Sequence, residues 1–177
     1  MTRAEANKLY GNPELNGKLN PQFEKDNIVT FVPPFVMRYD YDLKIQIKSF
    51  RIHKKAVPSL TNIYKQIWNA CRLKVKEQYP NKTTAEYDVL TLRYIRNNGF
   101  DRFGGSFVFR TSRNSNSLSA HAYGLAIDLY PSKNPMGKTL ITTFPDWFVK
   151  IWTGNGWTWG GLWKSTKDSM HFSFAGF

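Results

Sequence analysis

The chain has 177 residues, 41% of them hydrophobic, with 25 Lys and Arg against 13 Asp and Glu, a net charge of +12. That suits one folded domain long enough to bury a core, with no second domain required. The lone cysteine, Cys71, excludes an internal disulfide, no apolar run approaches the ~20 residues of a membrane span, and the positive excess calls for an anionic partner or surroundings.

Taken in chain order, residues 1–22 read as an amino-terminal arm, irregular from Tyr10 to Asn20 where Gly, Asn and Pro are dense. The opening stretch has no apolar segment that would serve as a secretory signal, so the expectation is synthesis in the cytoplasm. A single domain is expected from 23 to 177, of α+β class: a small antiparallel sheet flanked by helices. Asn27 to Val32 and Leu43 to Ile52 read as strands around Pro33-Pro34, the second because Leu43, Ile45 and Ile47 alternate with Lys44, Gln46 and Lys48. His53 stands in RIHKKAVPS without any ligand pattern and reads as structural or exposed. Ser59 is a candidate cap for a helix whose stripe is Leu60, Ile63, Tyr64, Ile67, Trp68 and Cys71, running to about Tyr79 before Pro80. Cys71 falls on that stripe as a buried filler. A second helix is expected from Thr84 to Asn97, closed by Asn98-Gly99. Phe107–Arg110, Leu125–Tyr130 and His171–Phe174 supply the later strands, with a helix over Phe144–Trp152.

The chemistry is concentrated after residue 110. SAHAYGLAID, Ser119 to Asp128, and DSMHF, Asp168 to Phe172, bring together two histidines and two aspartates. A zinc ion that hydrolyses peptides takes three protein ligands of imidazole and carboxylate type and keeps a fourth position open. His121, Asp128 and His171 meet that need, with Asp168 left over as a base. If Leu125–Tyr130 is a strand, Ala126 and Asp128 share one face, and Leu125, Ile127 and Leu129 the other. His171 and Ser173 likewise oppose Phe172 and Phe174, so two strand-borne ligands meet across a sheet. Gly124 is expected to bend the chain at the strand entrance, where a side chain would crowd the metal. Trp147, Trp152, Trp157, Trp159 and Trp163 fall within seventeen residues. Trp147 and Trp152 are expected in the core, Trp159 and Trp163 on a groove wall beside Gly160-Gly161, and Trp157 has no assignment.

The order Ser119, His121, Gly124, Ala126, Asp128, then Trp159-Gly160-Gly161, then Asp168, His171 and Phe172 resembles the zinc peptidases that include D-alanyl-D-alanine carboxypeptidases and bacteriophage L-alanyl-D-glutamate endolysins. These share a core with lysostaphin-type enzymes and the hedgehog signalling domain. The resemblance implies one zinc per chain on His121, Asp128 and His171, Asp168 as general base, and Arg110 facing the substrate. It extends loosely over residues 23–177 and is specific from Arg110 onward. Phe-Val-Phe before Arg110, Thr111 after it and Ala120 depart from the phage pattern without touching a ligand, and so bear on subsites only. DSMHF is more similar to the L-alanyl-D-glutamate type than to carboxypeptidases, which place a glutamate before a Trp-His pair.

The resulting expectation is a zinc-dependent peptidoglycan hydrolase, an endolysin that cuts the stem peptide at the L-alanyl-D-glutamate bond. Asp168 would take the proton of water and return it to the leaving amine, Arg110 would hold the oxyanion or a substrate carboxylate, and Ser119, Trp159 and Trp163 would contact the peptide. A D-alanyl-D-alanine carboxypeptidase is the alternative; a noncatalytic binding module and a basic nucleic-acid-binding domain stand further off. The charge is spread along the chain with no nucleic-acid motif, so no specific nucleic acid and no membrane insertion are expected. An acidic bacterial wall satisfies the same charge. A monomer is expected, released to the wall by a holin if the chain is a phage product.

Overall fold

In a computed structural model of the protein, residues 1–112 and 117–174 are described. The elements run α1 (Arg3–Tyr10), β1 (Glu14–Leu15), β2 (Lys18–Leu19), α2 (Pro21–Asn27), β3 (Ile28–Phe31), β4 (Met37–Tyr39), β5 (Gln46–Ile47), β6 (Phe50–His53), α3 (Val57–Gln78), α4 (Thr84–Asn97), β7 (Arg102–Gly105), β8 (Ala126–Leu129), β9 (Met136–Gly137), α5 (Asp146–Gly154), β10 (Trp157–Trp159), β11 (Lys167–Asp168) and β12 (His171–Phe174). The fold is α+β. Its main sheet has the order β10-β12-β8-β7-β4-β5, antiparallel throughout except for the parallel pair β4–β7. Two-stranded ribbons β3–β6, β9–β11 and β1–β2 stand apart from it. Among the described residues no helix is long and apolar enough to cross a membrane.

The helices form for local reasons that packing then rewards. Thr2 with Glu5, and Thr83 with Glu86, make reciprocal capping boxes at the starts of α1 and α4. Helix α3 buries Leu60, Ile63, Tyr64, Ile67, Cys71 and Val75 along one stripe, as its apolar spacing predicts. Its start differs from expectation: Ser59 lies inside the first turn, donating to the Asn155 carbonyl and accepting from Trp157 Nε1. Burial pushes the Cys71 thiol up to about 12, which keeps it protonated and inert. Aromatic rings fill the space between α3, α5 and the sheet; Trp152 lies fully buried, stacked on Phe172 with centroids 4.6 Å apart.

Three stretches depart from the sequence expectation. Leu43 and Ile45 are 44% and 47% exposed, and Leu43–Ile52 is divided into β5 and β6. The alternation there is overridden by a turn in which Asp42 accepts from the Lys44 amide and its carbonyl from Ile45. Phe107–Arg110 is not a strand; β7 lies earlier, at Arg102–Gly105. The Val108 amide instead donates to the His121 carbonyl, and Arg110 accepts from Ser119, so this segment straps the turn that carries the first histidine. Residues Tyr10–Asn20 are ordered as the end of α1 and a β1–β2 hairpin, turned by Asn16 and Gly17 at positive φ. Ala6 and Tyr10 join the core, and Tyr123 donates to Asn7, so α1 lies against the same turn.

Candidate metal centre

The site is built on two neighbouring strands and one 3-10 turn. Strands β8 and β12 pair with His171 directly opposite Asp128 and Phe172 opposite Ile127. Leu125, Ile127, Leu129 and Phe172 face the core, which leaves Asp128 and His171 side by side on the other face. His121 comes from the turn Ala120–Tyr123, capped at its start by Ser119 Oγ, which accepts from the His121 amide. Gly124 ends the turn at φ 67, a left-handed conformation that suits glycine. A Cβ there would meet Ile28 Cδ1 at 2.7 Å and the His53 amide nitrogen at 2.9 Å. The crowding expected at the metal is thus crowding against β3 and β6 behind it.

His121 Nε2, His171 Nδ1 and Asp128 Oδ1 converge: 3.2 Å between the nitrogens, and 3.3 and 3.1 Å from each to the carboxylate oxygen. A tetrahedral ion with ligands at about 2.0–2.1 Å sets its ligand atoms about 3.3–3.4 Å apart, so three corners of such a tetrahedron already stand in place. The donor set, two imidazoles and a carboxylate, is that of catalytic zinc. His121 Nδ1 lies 2.6 Å from the Ser106 carbonyl, an acceptor only, so Nδ1 carries the proton and Nε2 keeps its lone pair for a cation. Burial pushes the Asp128 carboxyl up, but with a proton on the His121 and His171 nitrogens that face it, where a cation would otherwise sit, their hydrogen bonds and charge outweigh burial and hold the group well below the ordinary carboxylate range. A group held ionised in this way is a ready cation ligand. Among the described residues this is the one cluster of three such side chains close enough to share an ion.

Two clefts meet at this cluster. The first, about 430 Å³, is walled by Arg110, Ser119, Trp163, Asp168 and Met170, with Asp128 and His171 at its base. The second, about 480 Å³, lies between β4, β6, β7 and the strap Ser106–Arg110 and reaches His121, whereas the first reaches His171. Arg110 and Asp128 border both.

The expected site residues are therefore not all in one place. His121, Asp128, His171, Asp168, Arg110 and Ser119 come together, although Ser119 is buried and its hydroxyl caps the turn. Trp163 reaches the first cleft, 37% exposed, with its ring centroid 5.2 Å from that of His171. Trp159, expected on the groove wall, lies behind it: its indole N–H donates to the Ser169 carbonyl and its ring packs parallel to Phe172. The adjoining glycines serve this packing. A Cβ on Gly161 would strike the Trp159 ring at 2.4 Å, and one on Gly160 the Asp168 carbonyl at 2.5 Å, so Gly160-Gly161 lets β10 close over the strand bearing the acid. Trp157 is buried in the core. His53 is wholly buried and structural, its Nε2 on the Tyr10 carbonyl and its Nδ1 accepting from Lys55. Sequence reasoning missed Ser106, since it acts through a carbonyl that every residue possesses, and missed the second cleft altogether.

No curated protein and no solved structure matches the chain. Residues 113–174 match the family model described as D-alanyl-D-alanine carboxypeptidase, a metallopeptidase family, so the resemblance carried by the motifs holds over the segment that supplies His121, Asp128, His171 and Asp168.

Proposed function

We propose that the protein is a zinc-dependent peptidoglycan peptidase that hydrolyses the stem peptide at the L-alanyl-D-glutamate bond. The observation that carries this reading is the preformed triangle of His121, Asp128 and His171 at the junction of two clefts, with Asp168 and Arg110 on the wall. When bound, zinc supplies a Lewis acid that polarises a carbonyl and brings the pKa of water from 15.7 to about 7. The rest of the chemistry falls to the chain. Asp168 accepts the proton of the attacking water and passes it to the departing amine. Arg110, between the clefts, holds the oxygen that gains charge; its guanidinium is permanently ionised and forked. The Ser106 carbonyl keeps the His121 ring in one tautomer, and Trp163 keeps one side of His171 dry. Clefts on both sides of the centre favour cutting within a peptide over trimming its end.

The second reading, a D-alanyl-D-alanine carboxypeptidase, is favoured by the description of the matching family. Purified protein incubated with isolated sacculi, followed by mass analysis of the new termini, separates the two. New amino-terminal glutamate supports the first, free D-alanine the second, and an unaltered sacculus in the presence of zinc refutes both. The charge of +12 supports an acidic bacterial wall as the partner of such an enzyme.

A further inference from the structure

The two clefts differ in charge. Apart from the shared Arg110 and Asp128, the first is lined by Asp168 and no Arg or Lys, whereas the second is lined by Arg51, which pairs with Glu24 outside the lining, and by no further acid. Arg51 comes from β6, its side chain half exposed and tied on two sides. Its Nη2 donates to Glu24 Oε1 at 2.6 Å, and its Cζ lies 4.9 Å from the centroid of the Phe107 ring. Its carbonyl accepts from Ser106 Oγ at 2.7 Å, on the residue whose own carbonyl orients His121. Glu24 uses one edge of a group with five N–H donors, and so fixes the direction of the fork. Beneath it Gly104 and Gly105 form a bulge in β7 opposite Asp128, and a Cβ on Gly105 would meet nothing within 4 Å. At Gly105 the cleft is thus lined by bare backbone, open to an extended peptide, whereas a Cβ on Gly104 would meet Pro131 at 3.0 Å.

Resting on the peptidase reading above, we infer that the second cleft is a carboxylate subsite in which Arg51 selects substrates bearing a free acid next to the scissile bond. In an L-alanyl-D-glutamate substrate that acid is the carboxylate of the glutamate left outside the peptide link. Repulsion from Asp168 and attraction to Arg51 direct the acidic half of the peptide into the second cleft, and the other half past Trp163. Arg51 and Phe107 lie before the segment matched by the family model, residues 113–174, so this selectivity comes from residues outside that match.

The test uses two synthetic tripeptides, L-alanyl-D-glutamyl-L-lysine and its analogue with the free glutamate carboxylate replaced by a carboxamide. Zinc-loaded wild type prefers the acid by at least roughly tenfold in kcat/KM, mostly through KM, as suits one charge-assisted contact. Arg51→Gln brings that ratio close to one, and Arg51→Lys leaves it in between. Calorimetry with the product glutamyl-lysine and its carboxamide repeats the comparison without hydrolysis: wild type binds the acid about tenfold more tightly and Arg51→Gln does not. Cleavage of both tripeptides with equal efficiency by wild type overturns the subsite and leaves the peptidase standing. A preference that survives Arg51→Gln overturns the role of Arg51. Failure to cleave either peptide removes the L-alanyl-D-glutamate reading, and the calorimetric difference still decides whether the cleft binds carboxylates.

Discussion

Gly124→Ala probes how firmly the metal centre is tied to the rest of the fold. The residue sits at φ 67, a region that costs a residue with a Cβ about 1–2 kcal/mol. The added methyl group would lie 2.7 Å from Ile28 Cδ1 and 2.9 Å from the His53 amide nitrogen. The isoleucine tip can swing aside, but the amide cannot, because it donates to the Gly124 carbonyl at 2.8 Å. Relief therefore has to come from moving the turn away from β6, at a further cost of about 1–3 kcal/mol, typical of overpacking. The sum, about 2–5 kcal/mol, lowers the melting temperature by roughly 4–20 °C for a domain of this size. Since the turn carries His121, the same movement spreads the ligand triangle and weakens zinc binding. Thermal melts of the metal-free protein, with zinc affinity from chelator competition, read both effects. Gly105→Ala, with open space around its Cβ, is the control and keeps the wild-type melting temperature within about 2 °C. A Gly124→Ala protein that melts and binds zinc like wild type would show that the strap between β6 and the turn does not hold the centre in place.

His121→Ala and His171→Ala each abolish stoichiometric zinc, measured by elemental analysis after dialysis, and full retention in either rejects that ligand. Asp168→Ala keeps its zinc and its melting temperature but loses turnover by about 10² to 10⁴, the usual worth of a general base; parallel loss of metal would reassign Asp168 to the coordination sphere. His53 is buried, and desolvation, offset in part by its bond to Tyr10 and reinforced by Lys55 and Lys54, holds its pKa below the ordinary value of about 6.5. The unfolded chain thus binds that proton first, so the stability contributed by neutral His53 is complete above about pH 6.5 and is lost as pH falls through the lower folded value. Urea midpoints at pH 7.5 and 5.5 should drop more steeply in wild type than in His53→Gln, and equal slopes would discard the assignment. Attachment of the Asp168→Ala protein to sacculi should weaken as salt rises, because the +12 charge is screened beyond about 10 Å at 0.1 M; salt-independent attachment points to a specific wall-binding surface instead.

Much of the centre was legible in the linear chain. The alternation in Ala126–Leu129 and His171–Phe174 is a local property: once each run is extended, the pleat alone puts Asp128 and His171 on the face opposite Ile127 and Phe172, and the apolar face leaves one register worth having. Helices α3 and α4 were legible for the same reason, through a stripe at helical spacing and a Thr83–Glu86 box. The Asn16-Gly17 hairpin was also written in the chain, in a dipeptide whose left-handed preference is a short-range fact that the surrounding Gly, Asn and Pro obscured. Other features depend on partners far away in sequence. Trp159 and Trp163 flank the same pair of glycines and look alike in the chain, yet one is buried on Phe172 and the other faces the cleft, because β10 pairs with β12 and leaves only the residues beyond its end on the open side. The tautomer of His121 depends on a carbonyl fifteen residues away, and the second cleft on bringing Arg51 of β6 to Phe107 and the bulge in β7. Side-chain periodicity is a short-range quantity that one strand or helix expresses alone, whereas cavities, hydrogen bonds between segments and the sign of the field within a cleft arise only when separate segments close on one another.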